Sequence, residues 1–350
     1  MKAWENNIRQ VVPYVPGEQP RRPVIKLNTN ENPYPPAPGV QAAVREMDPD
    51  CLRLYPDPDC TGLCTEIAAV YGVEKENVFV GVGSDDVLAT AFLTFFNSGK
   101  PVLFPDITYS FYRVWADVYR IPYETVPVDK DFRLHAEDYY KENGGVIFAN
   151  PNAPTAICEP LSFVEDILEH NRDVIVIADE AYVDFGGESA VSLLDKYDNL
   201  LVVQTFSKSR SMAGSRIGYA LGGQALIRSM ENVKFSINSY TMNQYSLKTG
   251  VEAIRDRQYF EDTLAKIIRT RETSKKRLEE MGFFCTDSKT NFLFVSHKSR
   301  NAKEIFEALK ERDIYVRYFN TPGIDNYLRI TVGTDEEMDI FFRAVEEILK

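Results

Sequence analysis

The chain has 350 residues, 44% hydrophobic and 26% charged, which excludes disorder and a collagen-like repeat and sets a length of about two domains. Its 40 Lys and Arg face 52 Asp and Glu, a net charge of −12, and this sign argues against nucleic acid or an anionic membrane surface as partner. Apolar runs such as Val174 to Ala178 fall far short of the roughly 18 residues of a membrane span, and residues 1–5 lead into no signal-peptide core, so a cytoplasmic protein is expected.

Residues 1–38 carry Pro13, Pro16, Pro20, Pro23, Pro33, Pro35, Pro36 and Pro38, which exclude long regular elements and predict an arm. Beyond it, apolar runs at Asn77 to Val82, Pro101 to Phe104, Gly145 to Ala149, Val174 to Ala178, Leu200 to Thr205 and Arg216 to Leu221 have the length and texture of buried strands. Between them Asp85 to Asn97 and Leu161 to His170 carry helical periodicity, so residues 39–245 are expected to form a large α/β domain with a mainly parallel sheet. A long charge-laced helix is expected from Met242 to Met281, striped by Leu264, Ile267, Ile268 and Leu278. Then follow a strand (Asn291 to Val295), a helix (Ala302 to Leu309), strands (Ile314 to Val316 and Tyr327 to Val332) and a final helix opened by the capping box Thr334 and Glu337. Residues 246–350 are thus expected to form a smaller α+β domain. Cys60 and Cys64 are the only close pair among five cysteines, with no histidine cluster, and reduced thiols without a metal site are expected.

Ligands of open α/β sheets gather beyond the carboxyl ends of the strands, where several of these runs end in polar groups. Val82-Gly83-Ser84-Asp85 follows one strand and opens a helix, either as a plain tight turn or as a phosphate cradle. Asp179 closes another strand, where a helix cap is the ordinary explanation, and Asn150-Pro151-Asn152 reads first as a turn. Lys208 follows Gln204-Thr205-Phe206-Ser207; a lysine there is commonly a surface charge, but at a buried strand's mouth it can serve as an amine nucleophile. Arg216 brings a second cation before the next strand. In this order an anion cradle, an Asn loop, a carboxylate, a Ser-Lys pair and an arginine are the parts a pyridoxal phosphate site requires. A NAD-linked site fits worse, because the turn lacks the third glycine and the acidic ribose anchor.

Leu27-Asn28-Thr29-Asn30-Glu31-Asn32-Pro33, Tyr55-Pro56-Asp57-Pro58, Gly83-Ser84-Asp85, Asn150-Pro151-Asn152, Asp179-Glu180-Ala181-Tyr182, Phe206-Ser207-Lys208 and Leu328-Arg329-Ile330-Thr331-Val332-Gly333 occur in the order and approximate spacing of one family. Over nearly its whole length the chain resembles the fold-type I pyridoxal-phosphate aminotransferases, and within them the branch whose amino donor is histidinol phosphate. The resemblance implies that fold, pyridoxal 5′-phosphate as cofactor, and 2-oxoglutarate with glutamate as the second substrate pair. By the same resemblance Lys208 carries the cofactor and shuttles the α-proton. Asp179 pairs with the pyridine nitrogen, Asn152 and Tyr182 meet the phenolate oxygen, and Tyr109 stacks on the ring. Gly83, Ser84, Asp85, Ser207 and Arg216 hold the phosphate, with Tyr55 reaching in from a second subunit, which implies a homodimer. Arg329 grips a substrate carboxylate, Arg317 meets a substrate phosphate, and Tyr14 and Asn30 close the site. Ala153 and Ala156 stand where the family pattern has Asn and Gly, and the segment from Ser209 to Ser215 is more polar than usual. On the same scaffold an aromatic aminotransferase or a threonine-phosphate decarboxylase are the alternatives, and a non-catalytic ligand-sensing module is the alternative of another class.

Overall fold

The computed structural model describes residues 2–350. Seven strands form the main sheet, in the spatial order Val78–Gly81, Gly218–Gly222, Leu200–Thr205, Val176–Asp179, Gly145–Ala149, Val102–Pro105 and Tyr123–Val126. All neighbours are parallel except Gly218–Gly222, which runs antiparallel to both strands beside it. The central strands are apolar throughout because both faces are covered. Their alternate residues diverge: Val146, Phe148, Val176, Ala178, Leu200 and Val202 pack into one cluster, and Ile147, Ile177, Leu201 and Val203 into the opposite one. The carboxyl ends of these strands lie side by side, which brings Asn150, Asp179 and Thr205 to one edge.

The smaller unit is a four-stranded antiparallel sheet in the order Arg317–Tyr318, Leu328–Thr331, Phe292–His297, Phe283–Cys285. Helices Ala302–Glu311 and Asp335–Leu349 back it and bury Ile305, Leu309, Met338, Phe341, Phe342 and Val345. The expected capping box is present: Thr334 Oγ1 accepts from Glu337 N at 3.2 Å, and Thr334 N donates to Glu337 Oε2 at 2.8 Å. The arm joins this unit where Ile25–Lys26 pairs parallel with Ile314–Tyr315. A further apolar cluster bridges the two units, with Phe132, Ala153, Ala156, Tyr182 and Phe185 from one side meeting Ile267, Phe292 and Phe294 from the other.

Two expected elements are corrected. The single helix from Met242 to Met281 is two, Gln244–Arg255 and Arg257–Glu280, because Asp256 leaves helical geometry at ψ 73° and caps the second helix, its carboxylate accepting from Tyr259 N at 3.1 Å. The first of them packs Leu247, Val251, Ala253 and Ile254 into the core of the larger unit, across the division expected at 245 and 246. The strand expected at Ile314 to Val316 ends at Tyr315, where it pairs with the arm, and an unexpected second strand, Arg317–Tyr318, pairs with Leu328–Thr331. Ala156 holds φ at +67°, the left-handed region that glycine enters without a steric penalty, and the loop still closes through Ala156 N to Asn152 O at 2.8 Å.

Removing the hydroxyl that caps the last helix leaves a first-turn N–H without its partner. Thr334→Ala is expected to lower unfolding stability by about 1 kcal/mol while Thr334→Ser leaves it nearly unchanged, as read from urea unfolding midpoints; equal losses in both variants would count against the cap.

Candidate functional site

Gly83 caps the helix Ser84–Phe95 at φ +82°, and a Cβ there would lie 2.5 Å from Arg216 Nη2. Gly218 is closer still: a Cβ on it would sit 2.2 Å from both Gly83 C and Ser84 N, so the two backbones touch only because Gly218 has no side chain. The result is a helix N-terminus, whose first-turn N–H groups have no intrahelical acceptor, set beside a guanidinium. Arg216, itself at φ +51°, donates to Asp85 Oδ2 at 3.2 Å and to Ser207 Oγ at 3.4 Å. Ser207 Oγ is in turn 3.0 Å from Thr205 Oγ1. Backbone donors, a hydroxyl and a cation around one turn make an anion-binding concavity.

Asp179 stands at the end of its strand, 4% exposed. Tyr112 Oη donates to its Oδ2 at 2.7 Å, whereas Oδ1 accepts only a long 3.3 Å bond from Ala181 N. No cation pairs with it among the described residues, and burial pushes its carboxyl up to about 6. Tyr109, on the same helix approach as Tyr112, donates to Asp85 Oδ1 at 2.8 Å and packs edge-on to Tyr112. Asn152 has both amide ends engaged, accepting from Thr108 Oγ1 at 2.8 Å and donating to Ile107 O and Thr155 Oγ1.

Three consecutive arm residues close the other side. Asn28 O accepts from Arg329 Nη2 at 3.0 Å, Thr29 O accepts from Lys208 Nζ at 3.3 Å, and Asn30 Nδ2 donates to Tyr182 Oη at 2.9 Å. Asn30, held at φ +58°, is fixed by Thr331 and Asn291. Two residues on, Asn32 Nδ2 donates to the carbonyls of Lys208 and Ser209 at 3.0 and 3.1 Å. Lys208 Nζ lies 5.7 Å from the centroid of the Tyr182 ring.

The register of the small sheet sets Arg317 directly opposite Arg329. Like charges facing across an antiparallel pair are destabilising, and neither guanidinium has a carboxylate partner among the described residues. Arg329 is half-buried, its Nε is shut off from water with no acceptor, and desolvation lowers its pKa. Arg317 donates only to the arm carbonyls of Val15 at 3.2 Å and Pro16 at 3.5 Å. Tyr14 stacks on Phe111 at 4.4 Å and tilts toward Tyr109. Two unneutralised arginines beside a lysine suit a ligand carrying more than one anionic group.

The structure therefore gathers Gly83, Ser84, Asp85, Tyr109, Asn152, Asp179, Tyr182, Ser207, Lys208, Arg216, Tyr14, Asn30, Arg317 and Arg329 around one cleft. Tyr55 lies outside it, 79% exposed and stacked on Tyr240 at 4.5 Å. Sequence reasoning missed Tyr112 and the arm contacts of Thr29 and Asn32. Asn32 had a signal, its place in the Asn30-Glu31-Asn32 motif; Tyr112 had none beyond an aromatic-rich stretch.

The model of the family described as aminotransferase class I and II matches residues 22–345. A histidinol-phosphate aminotransferase of Brachyspira hyodysenteriae is 50% identical, with all of both chains covered. That of Clostridium acetobutylicum is also 50% identical over 99% of each chain. Among solved structures, the histidinol-phosphate aminotransferase of Sinorhizobium meliloti in complex with pyridoxal-5′-phosphate superposes with a TM-score of 0.83 at 25% identity, covering 93% of this chain and 90% of that one.

Because the folded protein holds Asp179 near 6 against an ordinary 3.8, its native form takes up a proton more readily than the unfolded chain. That contribution to stability is present at acid pH and is lost as pH rises through about 4 to 6. In ligand-free protein, Asp179→Asn is expected to raise stability by roughly 1–3 kcal/mol at pH 8, with the gain shrinking toward pH 4.5. Urea unfolding at the two pH values checks this, and a gain independent of pH would refute the burial account.

Proposed function

The chain belongs to the class I and II aminotransferase family, and from that premise we propose that it transfers the amino group of histidinol phosphate to 2-oxoglutarate, using pyridoxal 5′-phosphate. The observation that carries this choice of substrates is the opposed pair Arg317 and Arg329, unneutralised at the mouth of the Lys208 and Asp179 site. Full-length relatives at 50% identity that are histidinol-phosphate aminotransferases support it.

The residues present fit the cofactor. The turn at Gly83 to Asp85 with Ser207 and Arg216 suits its phosphate, and the half-satisfied Asp179 suits a protonated ring nitrogen. When bound, pyridoxal phosphate supplies an electron sink for the pair left at the substrate α-carbon as its proton departs. Lys208 Nζ would take that proton from the α-carbon and deliver it on the cofactor side, the shift that transamination requires. Asp179, kept anionic, would hold the proton on the ring nitrogen, and Tyr109 would stack on the ring. Tyr182, its hydroxyl oriented by Asn30, would meet the ring oxygen, and Asn152 would join it by giving up its Nδ2 bond to Thr155 Oγ1. Arg329 binds a substrate carboxylate, and Arg317 exchanges its weak arm-carbonyl bonds for a substrate phosphate, a stronger charge-assisted contact. Tyr14 and Asn30 belong to the arm that excludes water from the reacting atoms.

The protein acts as a homodimer in which Tyr55 completes the phosphate site of the partner. Leu52, Leu54, Tyr55, Ile237 and Tyr240 are all exposed and apolar on a single subunit, a composition that favours burial against a second copy. Five unpaired cysteines accord with the reducing cytoplasm.

Purified protein supplied with cofactor, histidinol phosphate and 2-oxoglutarate is expected to produce glutamate; its absence overturns the proposal. Efficient turnover of phenylalanine, or carbon dioxide release from threonine phosphate, replaces it with the corresponding activity. Lys208→Ala is expected to cut kcat by about 10³-fold or more. Arg317→Ala should raise KM for histidinol phosphate roughly 10- to 100-fold while sparing 2-oxoglutarate, and Arg329→Lys should raise KM for 2-oxoglutarate by a similar factor. Sedimentation should give a mass near twice the 39.9 kDa of one chain, with Tyr55→Phe keeping the dimer but weakening cofactor retention.

A further inference from the structure

Two adjacent carboxylates are buried at the end of the strand Val176–Asp179, and they are satisfied very differently. Glu180 accepts from Ser189 Oγ at 2.6 Å, Ala190 N at 2.7 Å and Gln204 Nε2 at 2.8 Å, so both its oxygens are taken by short bonds and it braces the following loop. Asp179 has one short bond, from Tyr112, and one long one. A carboxylate offers about four acceptor sites, so Asp179 is anchored at one oxygen and underused at the other.

Tyr112 supplies that anchor from the helix Phe111–Tyr119, which follows the strand Val102–Pro105, two strands away in the sheet. The side chain is fully buried, wedged between Phe92, Phe104 and Trp115, and its edge faces the ring of Tyr109. Its hydroxyl has no other hydrogen-bond partner among the described residues. A neutral phenol steadies an anion without cancelling it, whereas a lysine or arginine in that place would form an ion pair and leave no charge for a ligand. Burial and the neighbouring Asp179 both raise the Tyr112 pKa well above its ordinary value, which keeps the phenol a donor.

We propose that Tyr112 is a positioning residue, whose hydroxyl fixes Asp179 through Oδ2 and thereby presents Oδ1 as the ionised acceptor for the pyridine nitrogen of the cofactor. The same ring, packed edge-on to Tyr109, holds the residue that covers the cofactor plane. This rests on the cofactor assignment made above.

Tyr112→Phe removes one oxygen and keeps the buried ring. In cofactor-stripped protein, the Asp179 carboxyl, followed by NMR of ¹³C-labelled aspartate with Asp179→Asn to assign the signal, is expected to titrate about one pH unit higher than in the parent, the shift that one hydrogen bond to a charged acceptor supports. Spectroscopic titration with pyridoxal 5′-phosphate at pH 7 should show roughly tenfold weaker binding for Tyr112→Phe, with the deficit growing on the acid side. In an Asp179→Asn background the same substitution should change the affinity little, because the coupling runs through that carboxylate. An unmoved carboxyl titration, or an equal loss of affinity in both backgrounds, overturns the proposal in favour of plain packing. Should the parent protein take up no pyridoxal phosphate, the cofactor assignment fails, and the carboxyl titration still decides whether Tyr112 governs Asp179.

Discussion

Charge held out of water without its counter-charge is the constraint around which this protein is organised. Asp179 is buried, Arg329 is half-buried, and Arg317 faces Arg329 across two hydrogen-bonded strands. Each arrangement costs free energy in the folded chain, and each is held by neutral groups rather than by opposite charges. A phenol steadies Asp179, and backbone carbonyls of the arm occupy Arg317, Arg329 and Lys208. Neutral partners lower the cost of burial yet leave the charges available to a ligand that carries the complementary set.

The scaffold can bear that cost because its apolar packing is divided into separate, well-filled clusters. The seven-stranded sheet buries both faces, and the small sheet has its own helices. Between them the cluster around Phe185, Phe292 and Phe294 sets the two units against each other behind the cleft. The arm then ties them in front: Asn30 reaches Tyr182 in the large unit and Thr331 in the small one, and Asn32 bonds the backbone carbonyl of Lys208 itself. A short segment without regular structure therefore governs where the lysine, the tyrosine and the arginine stand relative to one another.

Much of this was legible from local pattern. The strands Gly145–Ala149 and Leu200–Thr205 and the helix Leu161–His170 match the expected bounds, since continuous β-branched runs and a clean 3.6-residue stripe depend little on partners. The break at Asp256 was not legible: Arg255 and Arg257 continue the helical texture on both sides, and the cap at Asp256 forms where the first helix, packed against the large unit, ends. The edge strand Tyr123–Val126 was missed for a related reason, because its exposed Tyr123 and Glu124 break the apolar run on which the other strands were recognised. Residues at strand ends stood out as polar groups interrupting apolar runs, which is why Asp179 and Lys208 could be named, whereas Tyr112 sits in an aromatic stretch where a functional phenol looks like any other core ring.

By itself the sequence determined the α/β alternation, the small C-terminal unit, the capping box at Thr334 and the order of polar groups along the chain, all of which follow from interactions within a few residues or from burial alone. Only the tertiary structure decided that Arg317 lies opposite Arg329, that Asn28, Thr29 and Asn30 each bond a different member of the cleft, and that Tyr112 rather than a cation holds Asp179. These contacts join residues 67 to 301 positions apart or depend on the register of two strands. Such proximity is set by how the sheets and the arm close on one another, and no local spacing encodes it.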